Sequence, residues 1–253
     1  GTAGTTEEHI KYSWNYALLL AEGPSHAALV PSPILRAMRD GAFARLEEIT
    51  RTSSEVQDSL ISLLSEKQVA IPELGEIASA QRGFNIIATA NTRDRGVNEM
   101  SAALKRRFNF VTVPVVEDLE QEIRIVTRRE AELRSEYEIT IEPPAELARL
   151  LVTAFQELRT GMTKDGKTKV KPPSTVLSTA EAISVLFSSS ILAQYFGNGA
   201  VSPDDLARSL VGAVAKEDTG DLRILREYAE TVAKTRAGAW RDFYAATHAR
   251  TTD

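Results

Sequence analysis

The apolar positions fall into two regimes. Up to about residue 116 they come as short runs bounded by Gly, Pro and acidic residues; beyond it they recur at helical spacing. In the first regime, 8–22 reads as helical in part, with Trp14, Tyr16 and Leu18 to Leu20 as a dense apolar patch that Gly23-Pro24-Ser25 breaks. Pro33 opens a short helix that Gly41 closes. The stretch 42–49 predicts a short strand ending in two carboxylates, and 53–66 a helix with Leu60, Leu63 and Leu64 on one face. A brief alternating strand over 68–71 stops at Pro72 and predicts one arm of a projecting hairpin. The continuous apolar run 84–90 suits a strand buried on both faces of a parallel sheet, with Asn91 just past its end. A short helix over 100–107 and a strand over 108–113 follow.

From Leu119 onward the pattern is helical: 119–136, 143–159, 178–195, 202–216 and 221–248, with a Lys/Gly/Pro-rich linker over 161–173. Val201-Ser202-Pro203-Asp204-Asp205 is a helix start with a serine cap, proline at the first position and acids in the first turn. The expectation is an α/β part over 1–116, built on a parallel sheet, and a helical part over 117–253.

Composition narrows the chemistry. The 253 residues contain no cysteine, which excludes disulfides, thiolate metal sites and cysteine catalysis. Three scattered histidines, His9, His26 and His248, argue against a histidine metal cluster. No run approaches the roughly 18 apolar residues of a membrane span, and no secretory signal is visible, which fits a cytoplasmic protein. A net charge of −5 argues against a nucleic-acid-coating protein. The four linker lysines read as a solvated loop rather than a nucleic-acid motor's contact.

Three features can carry chemistry. Glu47-Glu48 ends an apolar strand, where adjacent carboxylates could divide magnesium-shell binding and water activation; a solvated turn is the plainer reading of two neighbouring glutamates. Asn91 could hydrogen-bond an attacking water or a γ-phosphate, or simply make a turn. Lys105-Arg106-Arg107 ends a helix; it would stabilise the helix dipole, or reach a neighbour's nucleotide. In a doubly wound sheet the strand ends at Glu47, Glu48 and Asn91 would share one rim.

In this order the features resemble the MoxR family of AAA+ ATPases. Residues 45–51, 55–58 and 63–72 look like its Walker B strand, following helix and helix-2 insert hairpin, and 88–108 like its sensor 1 strand and arginine-finger helix. The resemblance implies a parallel-sheet AAA+ core followed by an all-helical lid. It implies Glu48 as catalytic glutamate, Glu47 at the Walker B aspartate (holding magnesium through water), Asn91 as sensor 1, and Arg107 as arginine finger with Arg106 close behind. It also implies ATP and Mg2+ as cofactors, ring assembly (usually hexameric), a von Willebrand factor A partner, and chaperone-like remodelling of a protein substrate. Three departures stand out. No Gly-x-x-x-x-Gly-Lys-[Ser/Thr] occurs, so the phosphate loop is expected upstream of Gly1. Glu47 stands where aspartate is usual, and 177–182 lacks a sensor 2 arginine, for which Arg208 or Arg223 could substitute. The absent loop leaves a second reading: an AAA+ scaffold that assembles without hydrolysing ATP.

Overall fold

The computed structural model describes residues 1–91, 98–174, 177–214 and 219–251. The stretch 92–97 of the sensor 1 segment and the end of the helix read to Lys216 therefore lie outside the described residues. The chain divides into two compact units, Gly1–Thr112 and Val113–Asp253.

The first unit opens with α1 (Glu7–Ile10), β1 (Tyr12–Trp14), α2 (Tyr16–Glu22), β2 (Leu29–Pro31) and α3 (Pro33–Asp40). β1 and β2 pair antiparallel, Tyr12 opposite Pro31 and Trp14 opposite Leu29. The whole β1–α2–β2 excursion therefore leaves and re-enters at one place. Ser32 closes that base: its hydroxyl donates to the Ile10 carbonyl (2.7 Å) and accepts from the Leu35 N–H (3.0 Å), capping α3. The predicted partial helix over 8–22 is thus two short helices split by a strand.

β3 (Phe43–Leu46), α4 (Ser54–Glu66), β4 (Gln68–Ile71), β5 (Glu76–Ser79), β6 (Asn85–Ala88) and α5 (Ala102–Lys105) complete the unit. β3 and β6 are parallel, from Phe43 opposite Asn85 to Leu46 opposite Ala88. Glycines make their start possible. A Cβ on Gly41 would lie 2.5 Å from the Arg82 carbonyl, one on Gly83 2.6 Å from the Gly41 carbonyl, and both residues have positive φ. Ala44, Leu46 and Ile86 turn inward to a core with Leu35, Met38, Leu60 and Leu104.

Three expectations need correction. The apolar run 84–90 is not buried on both faces: Ile86 is buried, but Ile87 and Phe43 face outward and are exposed. Strand alternation, not the continuous apolar sequence, decides which side chain packs. The stretch 108–113 forms no strand. It finds no ladder partner among the described residues, and Phe110, Val111 and Val113 are exposed. The hairpin of β4 and β5 forms, with Ile71 opposite Glu76, but Val69 and Ile71 are buried in the core, so it lies against the unit instead of projecting.

The second unit is helical: α6 (Leu119–Glu136), α7 (Ala145–Thr160), α8 (Thr179–Tyr195), α9 (Pro203–Val214), α10 (Thr219–Thr231) and α11 (Ala239–Arg250). The single helix read over 221–248 is two, separated by a 3-10 turn at Ala233–Thr235 and by Gly238 at φ 67°. α7 is the central element, burying Leu147, Leu151, Phe155 and Leu158. Three buried carboxylates each hold an arginine: Glu122 with Arg159 (2.8 Å), Glu130 with Arg134 (2.9 Å) and Glu157 with Arg236 (2.7 Å). Glu122 also accepts from Gln156 (2.5 Å) and Thr179 (2.7 Å), and Glu157 from Tyr228 (2.7 Å).

Burial pushes the Glu122 carboxyl up, but donation from Arg159, Gln156 and Thr179, with the Arg159 charge, outweighs it and holds the group below the ordinary carboxylate range. A depressed folded-state value adds stability above the unfolded one, lost as pH falls through the folded value. Thermal melts followed by circular dichroism should therefore show the helical unit losing stability between about pH 5 and about pH 2. Arg159→Leu, which strands Glu122 without its cation, should cost about 3–5 kcal/mol in urea unfolding at neutral pH.

Candidate active site

The acidic pair is placed by the strand beside it. β3 ends at Leu46, and Glu48 turns the chain through a left-handed conformation (φ 52°, ψ 49°) into a 3-10 turn over Ile49–Arg51. That turn is anchored by Ile49, which is buried. Thr89, just past β6, meets this corner with three groups. Its N–H donates to the Leu46 carbonyl (3.0 Å) and its carbonyl accepts from the Ile49 N–H (2.9 Å), carrying the parallel ladder past the strand ends. Its hydroxyl accepts from the Glu48 N–H (3.0 Å) and donates to Glu47 Oε2 (2.5 Å). One threonine thus fixes the backbone of one glutamate and the side chain of the other.

The two carboxylates differ in surroundings. Glu47 Oε1 receives Arg45 Nε at 2.8 Å, so both its oxygens are engaged. Glu48 Oε2 stands 3.7 Å from Arg51 Nε, too far for a hydrogen bond. That oxygen is shielded from solvent and has no hydrogen-bond partner among the described residues. A buried acceptor left unsatisfied costs about 1–3 kcal/mol, so it suits a donor brought by a ligand or a water.

Asn91 follows Thr89 by two residues and is exposed. The loop after the acids is tied down by Asn98, whose N–H donates to the Thr50 carbonyl (2.6 Å) and whose amide donates to the Thr52 carbonyl (2.8 Å). Gln57 donates to that same Thr52 carbonyl at 3.2 Å. Thr89 and Asn98 were not singled out from sequence; a hydroxyl one residue beyond the strand was the available signal for Thr89.

The two arginines differ. Arg107 is held in its own subunit, donating to Ser65 Oγ on α4 (2.5 Å) and to the Ala103 carbonyl (2.7 Å). The Arg106 side chain is exposed and has no polar partner among the described residues. No direct bond among the described residues joins either to Glu47 or Glu48. Arg208 on α9 and Arg223 on α10 are exposed. At the start of α8 the arginine present comes from α7: Arg159, which donates to the Leu177 carbonyl (3.0 Å) and is committed to Glu122.

Among the described residues, no group of three or more His, Asp or Glu side chains could hold a metal ion. The corner instead fits the habit of Mg2+, which keeps several waters and uses one or two carboxylates with substrate phosphates. Glu47 is a fixed carboxylate of that kind, and the unsatisfied Glu48 oxygen lies beside it in sequence. No helix among the described residues is long and apolar enough to cross a membrane.

Comparison with known proteins agrees with this architecture. Residues 1–108 match the AAA domain (dynein-related subfamily), and residues 120–250 match the YehL-like AAA+ ATPase C-terminal domain. YehL of Escherichia coli (strain K12) is 46% identical over 252 residues, covering 98% of this chain and 69% of YehL. A protein of Staphylococcus epidermidis is 29% identical over 148 residues, covering 58% of this chain and 51% of that protein. Among solved structures, NtrX from Brucella abortus in complex with ADP aligns with a TM-score of 0.51 at 14% identity. That alignment covers 99% of this chain and 55% of NtrX, and is a likeness of fold. A parallel strand pair bearing the acidic corner, followed by a helical unit whose sequence matches the YehL-like C-terminal domain, places the chain in the YehL-like family of AAA+ ATPases.

Proposed function

We propose that the protein hydrolyses ATP as a ring-forming remodelling motor of the MoxR type, with the corner between β3 and β6 as its catalytic face. The observation that carries the reading is the Thr89 clamp, which holds Glu47 while leaving one Glu48 oxygen unsatisfied. In hydrolysis a water oxygen bonds to the γ-phosphorus, the bond to the β-phosphate oxygen breaks, and the water gives up a proton. Glu48 aligns that water and accepts the proton, and Asn91 holds it from the other strand end. Glu47 would hold Mg2+ through a water, and the ion would supply charge neutralisation on the nucleotide phosphates. The extra methylene of Glu47, relative to aspartate, is accommodated because Arg45 and Thr89 grip one oxygen each.

Arg106 is the better finger of the two arginines, since Arg107 is spent on Ser65 and Ala103 and positions α5. A finger supplied to a neighbour couples turnover to ring geometry and accelerates phosphoryl transfer by about 10³–10⁵. A hexameric cytoplasmic ring, a von Willebrand factor A partner and a protein substrate complete the reading; they rest on the resemblance of 45–72 and 88–108 to MoxR ATPases. The chain spans 69% of YehL and contains no Gly-x-x-x-x-Gly-Lys-[Ser/Thr] sequence.

In the full-length protein, Glu48→Gln should cut phosphate release by about 10²–10⁴ while nucleotide binding and assembly persist. Glu47→Ala should instead weaken Mg2+-dependent binding of a fluorescent nucleotide. Wild-type turnover in Glu48→Gln would remove Glu48 from that role, and a full-length wild-type protein that assembles but releases no phosphate would establish the scaffold reading in place of the motor. Thr89→Val keeps both glutamates and removes the clamp. It should lower kcat by about 10–100-fold, the scale of the two hydrogen bonds lost with the hydroxyl, with nucleotide affinity little changed. Mixing tests the finger: Arg106→Ala and Glu48→Gln subunits, each inactive alone, should regain activity together, and light scattering with ATP should show the ring. Mixtures that stay inactive would remove Arg106 from that role.

A further inference from the structure

The β1–α2–β2 excursion carries a surface that the catalytic corner does not use. α2 reads Tyr-Ala-Leu-Leu-Leu-Ala-Glu, and none of its residues is buried; Leu20 is 88% and Tyr16 62% exposed. A helix this apolar is normally covered on at least one face. Its own ends are settled, with Asn15 accepting from the Leu18 N–H and the chain turning at Gly23, so it is a formed element and not a frayed one.

In the same unit, a cleft of about 330 Å³ has Trp14, two residues before α2, in its wall, with Glu7, Glu8, Lys11, Tyr12 and Glu73. Tyr12 and Trp14 meet edge to face, ring centroids 5.9 Å apart. Tyr12 donates to Glu73 Oε2 at 2.9 Å, which joins the excursion to the turn between β4 and β5; His26 makes a second tie to Glu76 at 3.1 Å. Glu73 is held below the usual carboxylate range by its own backbone N–H and then by the Tyr12 hydroxyl, and Trp14 assists; burial and Glu73 push Tyr12 up to about 12. The Glu73 carboxylate thus stays ionised. Its one cation, Lys11, is paired with Glu7 at 2.5 Å. Glu8 is exposed and has no partner among the described residues. A fixed carboxylate, a second uncommitted one and two aromatic rings in one cleft suit an ammonium or guanidinium group.

We propose that this face binds a polypeptide segment that interleaves basic and aliphatic residues, a lysine or arginine entering the cleft between Glu8 and Glu73 and the aliphatic side chains covering α2. Charge selects this occupant over the others. An anionic membrane surface is recognised by basic residues flanking an apolar face, whereas α2 has no Lys or Arg and ends in Glu22. A second copy of the same face would bring carboxylates against carboxylates. The inference names the chemistry of the remodelled or partner polypeptide, and so extends the motor reading.

The test is fluorescence anisotropy with the full chain and a short labelled peptide of alternating lysine and leucine, without nucleotide. Peptides of glutamate and leucine, or of lysine and serine, should bind about tenfold more weakly. Leu20→Ser and Glu8→Gln, both at exposed positions, should each weaken the lysine–leucine peptide about three- to tenfold with an unchanged melting temperature. Equal binding of the three peptides would overturn the proposal. So would indifference to both substitutions, tighter association with phosphatidylglycerol vesicles than with the peptide, or a dimer that Leu20→Ser dissolves. Since no nucleotide is present, failure here leaves ATP hydrolysis untouched, and inactive Glu48 variants should still bind the peptide.

Discussion

The geometry of the acidic corner depends on the parallel register between β3 and β6. Parallel strands share their carboxyl ends, so a residue just beyond one strand can reach residues just beyond the other. Leu46 opposite Ala88 is what brings the Thr89 hydroxyl to Glu47 and Glu48. The register is set at the opposite end, where the Gly41 and Gly83 backbones approach too closely for any Cβ. A slip of one residue would reverse inward and outward side chains and take Ala44, Leu46 and Ile86 out of the core. Core packing and site geometry are therefore enforced together.

The helical unit is organised by a different constraint. Three of its buried carboxylates, Glu122, Glu130 and Glu157, come from α6 and α7 and are satisfied by groups on several elements. Glu122 draws α7 and the start of α8 onto α6, while Glu157 draws α10 and the segment after it onto α7. Apolar contacts tolerate sliding; a buried carboxylate does not, because displacement leaves a charge without its partner. Those pairs fix which helices meet and at what height along each axis.

Much of the fold was legible in the sequence because periodicity reports packing directly. The helices α4, α6, α7, α8 and α9 are long and rich in apolar residues, and Ser53, Asp118 and Ser178 cap α4, α6 and α8 as their residue types suggest. Short elements were less readable. α2 and β1 lie within one dense apolar stretch, and seven residues give too few turns to show a period. The apolar run 84–90 looked buried on both sides since hydropathy does not record whether a neighbour exists for each face. The hairpin of β4 and β5 was visible, yet its inward orientation followed from Val69 and Ile71 as much as its existence did. Sequence order marked Glu47, Glu48 and Asn91 as neighbours on a rim. It could not show that a threonine hydroxyl links the two acids, or that Arg107 is committed to Ser65, because both depend on contacts 42 residues apart or nearly so.

Glu48 occupies a backbone conformation that favours glycine, at φ 52°. For a residue with a Cβ, that conformation is disfavoured by about 1–2 kcal/mol. Folding alone would be better served by glycine there, so the carboxylate persists against the preference of its own main chain. Any effort to stabilise this chain by choosing residues for backbone compatibility would replace Glu48 early and would remove the corner's buried carboxylate oxygen that has no hydrogen-bond partner among the described residues. If Glu48 serves as proposed, robustness and chemistry compete at that single position, and variants ranked by melting temperature would be ranked partly against the proposed site.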